Sequence, residues 1–145
     1  MARSTSPGTT ASSCEWRPTR ESPVRSLIVT DGRRVIGALG EAAAARALER
    51  SGVRIVARNA RTRYGEIDLI GQDRRGVVFV EVKTCRLGSF VDPREAVGPR
   101  KLARLRGLAL AWAAAHRVRG PLRLVIAAVT VAGSETSVEL IEVAG

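Results

Sequence analysis

Two short segments of this chain place carboxylates and a lysine at spacings that could do chemistry. They are Gly65-Glu66-Ile67-Asp68-Leu69-Ile70 and Phe79-Val80-Glu81-Val82-Lys83. Both read as strands, along which side chains alternate between faces. Glu66, Asp68 and Ile70 then share one face, and Phe79, Glu81 and Lys83 share one face of the next strand. The intervening Asp73-Arg74-Arg75-Gly76 is a good turn. A two-residue loop sets Asp68 opposite Glu81, Ile70 opposite Phe79 and Glu66 opposite Lys83. Opposed pairs have Cβ atoms about 4.5–5.5 Å apart, and two carboxylates that close repel. A divalent cation removes the conflict, and oxygen ligands at this spacing suit Mg²⁺ or Mn²⁺. A three-residue loop with a bulge at Gly76 would shift the pairing by one and set Asp68 against Val82, dissolving the site. An ordinary half-exposed hairpin would show the same alternation of charged and apolar residues.

Further charged residues stand around this pair. Glu41 lies on an Ala-rich helical stretch, about 20° from Leu48 and away from Arg46, Glu49 and Arg50. It is either a carboxylate facing a site or an exposed helix glutamate. Arg100, Lys101 and Arg104, with Arg106, crowd the first half of a later helix, where cations oppose the macrodipole. Phosphates docking there would explain them, and so would a solvated basic face. Trp112 falls on that helix's apolar stripe with Leu102, Leu105, Ala109 and Ala113, and reads as core. Tyr64, beside Arg61 and Arg63 in a loop, is the better candidate for stacking on a base.

These residues need elements to position them. Val35 to about Ser51 reads as a helix stopped by Gly52. Val53 to Val56 is a short strand, followed by a polar, basic connection holding Arg58, Asn59, Arg61 and Arg63. Gly65 to Gly71 and Val77 to Cys85 are strands. Pro99 opens a helix running to about His116, with Gly120-Pro121 just beyond. Leu122 to Val131 is an apolar strand, and Ser137 to Val143 a last, edge-like one. The order α-β-β-β-α-β-β predicts an α/β domain with a mixed sheet flanked by helices.

The organisation is expected to be one domain, residues 33–145, behind a disordered extension, residues 1–32. Residues 1–30 hold eleven Ser or Thr and three Pro with little periodicity. A transit-like leader, or a translation start further downstream, would account for the same composition. The longest apolar run, Leu108 to Ala115, is far short of the roughly 20 residues of a membrane span. Cys14 and Cys85 make no disulfide framework or CxxC, and a cytoplasmic location is the default expectation.

Net charge is +10, from 24 basic against 14 acidic residues. Such a charge favours an anionic partner, most often nucleic acid. Arginine-rich composition alone would also produce it. The chain has only two lysines, Lys83 and Lys101. Where Arg stands nearly everywhere, a remaining Lys marks a position at which a compact point charge is needed.

In that order and spacing, Glu41, Asp68 and Glu81-Val82-Lys83 resemble the PD-(D/E)XK nuclease superfamily. Gly40-Glu41-Ala42-Ala43, Asn59 with Arg61, the Gly65–Ile70 and Phe79–Lys83 segments, and Glu95-Ala96-Val97 with Lys101 resemble one branch more closely, the bacterial UPF0102 or YraN-like family. That family is similar to Holliday-junction resolvase-like endonucleases. The resemblance implies a restriction-endonuclease-like core and a metal-dependent endonuclease acting on DNA, on branched or single strands. It makes Asp68 and Glu81 metal ligands for Mg²⁺ or Mn²⁺. Lys83, Glu41 and Glu66 become the catalytic candidates, and Lys83 would orient or activate the attacking water. Arg61, Arg63, Tyr64, Arg86, Arg100, Lys101 and Arg104 are the nucleic-acid-binding candidates. The partner expected is DNA, with no membrane association and room for a homodimer. Three positions depart from the pattern: Ile67 replaces the superfamily's Pro, Cys85 a common Arg, and Val125 an Asp. A nucleic-acid-binding module without turnover is the alternative function.

Overall fold

A computed structural model describes residues 32–88 and 98–143. Most of the N-terminal extension, and Glu95-Ala96-Val97, lie outside the described residues. Within them the order is α1 (Gly32–Arg50), β1 (Arg54–Thr62), β2 (Gly65–Asp73), β3 (Gly76–Arg86), α2 (Pro99–Ala115), β4 (Leu122–Ala132) and β5 (Glu135–Val143). The five strands form one sheet in chain order, antiparallel except for the parallel β3–β4 pair joined through α2. The α/β class and element order are those expected from the sequence.

Each helix covers one face of the sheet. α1 is built from good helix formers and buries Ala43, Ala44, Ala45 and Leu48. Those residues pack on Leu69, Val78, Val80, Val125, Ala127 and Val129. α2 buries Leu105, Leu108, Ala109, Trp112 and Ala113 against Ile67, Ile70, Val77, Phe79, Leu124 and Ile126. Alternation of Val77 and Phe79 with Val78 and Val80 separates the two cores across β3. Trp112 is 5% exposed and meets Phe79 edge-on, with ring centroids 5.7 Å apart, so it is a core residue as expected.

The helix ends follow backbone logic. Gly52, at φ +90°, closes α1: its N–H bonds Glu49 O, and Val53 N–H reaches Leu48 O. This is the 6→1 and 5→2 pattern in which glycine avoids the strain of the left-handed region. α2 ends on the same pattern without a glycine. Arg117 takes φ +53°, and Val118 N–H bonds Ala113 O. The stop therefore comes before Gly120-Pro121.

The connection expected after Val56 is instead strand. β1 continues through Arg58, Asn59 and Arg61 to Thr62, and only Arg63 and Tyr64 form the turn. Its small apolar residues Ala57 and Ala60 pack toward α2 while the arginines face out, which an edge strand tolerates. Composition alone obscured this, because charge on a sheet edge resembles charge in a loop. The β2–β3 turn is the expected two-residue one, with Asp73 paired to Gly76 and Ile70 to Phe79. Among the described residues no helix is long and apolar enough to cross a membrane.

Candidate functional site

The sheet is complete at the Asp73–Gly76 end and split at the other. The β2–β3 ladder runs from Asp73/Gly76 to Leu69/Val80 and stops there. The β1–β2 ladder pairs Arg58 with Leu69 and Ala60 with Ile67 but skips Asn59 and Asp68. Asn59 explains the second gap: it adopts φ +47°, a left-handed conformation that Asn tolerates better than most residues. Asp68 is thus unpaired on both sides. Its carboxylate takes over the lost bonding, with Oδ2 accepting from Val82 N–H at 2.7 Å.

This split corrects the expected geometry. Asp68 and Glu81 are not a ladder pair, because β3 diverges just past Val80. Ile70 lies in the α2-side core, whereas Asp68 opens into a cavity beside α1 and Leu69 packs in the α1-side core. Alternation breaks at Asp68. Glu66 therefore does not face Lys83. It is exposed, and its Oε2 accepts from Arg61 Nε at 3.3 Å, outside the cavity.

The cavity, about 530 Å³, is lined by Glu41, Asp68, Glu81 and Lys83, with Arg33, Ile36, Gly37, Val82, Thr84, Cys85 and Arg86. Three elements supply its carboxylates. α1 can bring Glu41 in because Gly40 lies directly on β3: a Cβ there would overlap the Thr84 side chain. Asn59 Nδ2 donates to Glu41 Oε2 at 3.2 Å, tying the helix to β1. Lys83 Nζ pairs with Glu81, two residues away on the same strand, and both side chains are about one-quarter exposed. Burial is the largest influence on Asp68 and raises its pKa to about 6. The charges of Glu81 and Glu41 push it the same way, against the Val82 hydrogen bond and Lys83.

Five of the candidate residues thus line one cavity: Glu41, Asp68, Glu81, Lys83 and Arg86. Arg63, Tyr64 and Arg104 meet elsewhere, at the β1–β2 turn. Arg100 and Lys101 are exposed on the first turn of α2. Arg33 and Asn59 join the site without having been assigned a role from sequence. Val125, which replaces an expected Asp, is buried in the α1-side core and does not line the cavity.

Carboxylate oxygens around a half-buried space are the donor set that a hard divalent cation prefers. Among the described residues, no three Asp, Glu, His or Cys side chains stand close enough to hold one as they are. Glu41 is engaged by Asn59 and Glu81 by Lys83. Asp68 keeps one oxygen beyond its bond to Val82.

An α/β domain with one helix on each face of a mixed sheet, and a carboxylate–lysine cavity where that sheet splits, defines the class. Residues 40–131 match the family described as Uncharacterised protein family UPF0102, and the chain belongs to it. A UPF0102 protein of Mycolicibacterium vanbaalenii is 51% identical over 85 residues, covering 59% of this chain and 70% of the relative. One from Anaeromyxobacter dehalogenans is 43% identical over 110 residues, 75% of this chain and 82% of its own length. The matched span of the family includes Glu41, Asp68, Glu81 and Lys83.

Proposed function

We propose that this protein hydrolyses phosphodiester bonds in DNA with Mg²⁺ or Mn²⁺ held by Asp68 and Glu81, on branched or single strands. The observation that carries the reading is the meeting of Glu41, Asp68, Glu81 and Lys83 in one cavity. A bound cation would neutralise phosphate charge and lower the pKa of an attacking water. Lys83 supplies a compact ammonium that can donate to that water or to a phosphate oxygen. To do so it must exchange its contact with Glu81 for the substrate. Glu41, steadied by Asn59, faces the same space as a further oxygen acceptor. Arg33 and Arg86 line the cavity and suit phosphates on either side of the scissile bond. Glu66, engaged by Arg61 outside the cavity, is assigned no step in this reading.

The test is cleavage of plasmid, single-stranded and four-way-junction DNA by the full chain with Mg²⁺ or Mn²⁺. Cutting of at least one substrate is expected, with Asp68→Ala slower by at least about 100-fold. Equal cutting by wild type and Asp68→Ala, or no cutting of any substrate, overturns the reading.

A second reading is a nucleic-acid-binding module without turnover. The Glu81–Lys83 pair and the lack of three converged metal-binding side chains among the described residues favour it. Binding that weakens steeply with salt, without cleavage in either metal, would select it.

A further inference from the structure

Tyr64 stands apart from the other large aromatic side chains described. Phe79 and Trp112 are buried against each other, whereas Tyr64 is 58% exposed. It occupies the β1–β2 turn, Arg63-Tyr64, between the paired Thr62 and Gly65. The turn is tied to itself: Tyr64 N–H donates to Thr62 Oγ1 at 3.1 Å, and that hydroxyl donates to Gly65 O at 3.0 Å. Gly65 has φ +145°, and a Cβ there would come within 2.7 Å of Arg104 Nη2. A glycine at this position therefore lets the α2 guanidinium lie against the hairpin tip. The Arg63 guanidinium lies over the Tyr64 ring, its carbon 4.5 Å from the centroid. The neighbouring acid, Glu66, is engaged by Arg61.

The exposed ring thus carries Arg63 over it, while Arg104 from α2 reaches the adjoining Gly65. With its backbone tied into the turn, Tyr64 has less conformational freedom to lose when a second flat group settles on its ring. Arginine beside it suits phosphate and adds cation–π attraction. Bases inside a duplex hide their faces in the stack, so only an unpaired base can lie on the ring. Gly65 is three residues before Asp68 on β2, so the tip stands at the same end of the sheet as the cavity.

We propose that Tyr64, with Arg63 over its ring and Arg104 against the adjoining Gly65, is a stacking platform for an unpaired base, so that this end of the sheet takes single-stranded nucleic acid in preference to duplex. The proposal rests on the nucleic-acid part of the reading above and is independent of cleavage. Base stacking accounts for selectivity without base-edge contacts, so the sequence preference is weak.

The test is fluorescence anisotropy of the full chain with labelled oligothymidine, oligouridine and a duplex of equal length, in EDTA and about 50 mM salt. Wild type binds at least one single strand more tightly than the duplex. Tyr64→Ala weakens single-strand binding by roughly 5- to 150-fold and leaves duplex binding unchanged. Tyr64→Phe keeps wild-type affinity, because the ring face remains. Arg104→Ala weakens both ligands and flattens the salt dependence. Equal losses on single strand and duplex in Tyr64→Ala, or no loss on either, overturn the platform while leaving nucleic-acid binding in place. Absence of binding to all three ligands overturns both.

Discussion

The two ends of the sheet handle charge in opposite ways. At the Asp73–Gly76 end Asp73, Arg75, Arg123 and Glu142 are joined in one network of opposite charges. Arg123 Nη1 donates to Asp73 Oδ2 at 2.6 Å, and its Nε and Nη2 donate to Glu142 at 2.9 Å each. Arg75 adds a second fork onto Glu142. The Arg123 hydrogen bond, chiefly, holds the Glu142 carboxyl down at about 2. Burial is the largest single influence on Asp73 and would raise it, but the hydrogen bonds and charges of Arg123 and Arg75 together outweigh it, and the carboxyl sits below its usual range. At the split end three carboxylates line one cavity with Lys83, and burial drives Asp68 upward to about 6. One end is arranged for stability alone. The other gathers three carboxylates among three cations, Arg33, Lys83 and Arg86, and keeps Asp68 half-buried with a raised pKa, the pattern of a candidate functional site.

That contrast can be broken from the stable side first. Arg123→Ala removes the cation that Asp73 and Glu142 share, and a loss of about 1.5–3 kcal/mol is expected in urea unfolding near neutral pH. Its pH dependence has a definite sign. Both carboxyls have lowered folded pKa values, so their contribution is present above the unfolded values near 4 and fades as pH falls toward 2. The gap between wild type and variant should therefore narrow in acid. A gap that stays constant would show that the network does not act through charge.

Gly40→Ala probes how closely α1 is held to the split end. The added methyl meets Thr84, so an overpacking cost of about 1–3 kcal/mol is expected. Thr84→Ala in the same chain should recover most of it. No recovery would place the cost in α1 itself.

The smallest expected effect has the opposite sign. Asp68→Asn keeps an oxygen for Val82 N–H and removes the half-buried charge. The folded pKa is raised, so Asp68 favours folding below about pH 4, and that contribution is lost as pH rises through about 6. The variant should accordingly be more stable than wild type above pH 6, in EDTA, on the order of 1 kcal/mol once solvent screening of a part-exposed group is allowed for. The advantage should vanish near pH 4. A destabilised variant at pH 8 would show that the carboxylate is already compensated.

Much of this was legible in the chain. Gly52 stopped α1, Pro99 opened α2, and the Asp73–Gly76 turn fixed the hairpin register through Ile70 and Phe79, because each acts over a few neighbouring residues. The run of β1 through Arg58 and Arg61 was not legible, since its partner lies on β2 and no local signal announces it. Nor was the end of Glu66's expected pairing with Lys83. Extrapolating a regular ladder assumed alternation that Asn59 and the divergence of β3 interrupt.

The sequence by itself determined the α/β order, the hairpin register near its turn and the residue types able to serve a cation or a phosphate. These depend on local propensity, on alternation and on the chemistry of single side chains. Only the tertiary structure decided which of them meet. Helix packing allowed by Gly40 brings Glu41 to the cavity, and the splitting of two ladders frees Asp68 to enter it. The same packing sends Glu66 out to Arg61 and lays Arg104 against the Tyr64 turn. Convergence is a property of long-range contacts, and a strand pattern read along one chain cannot contain it.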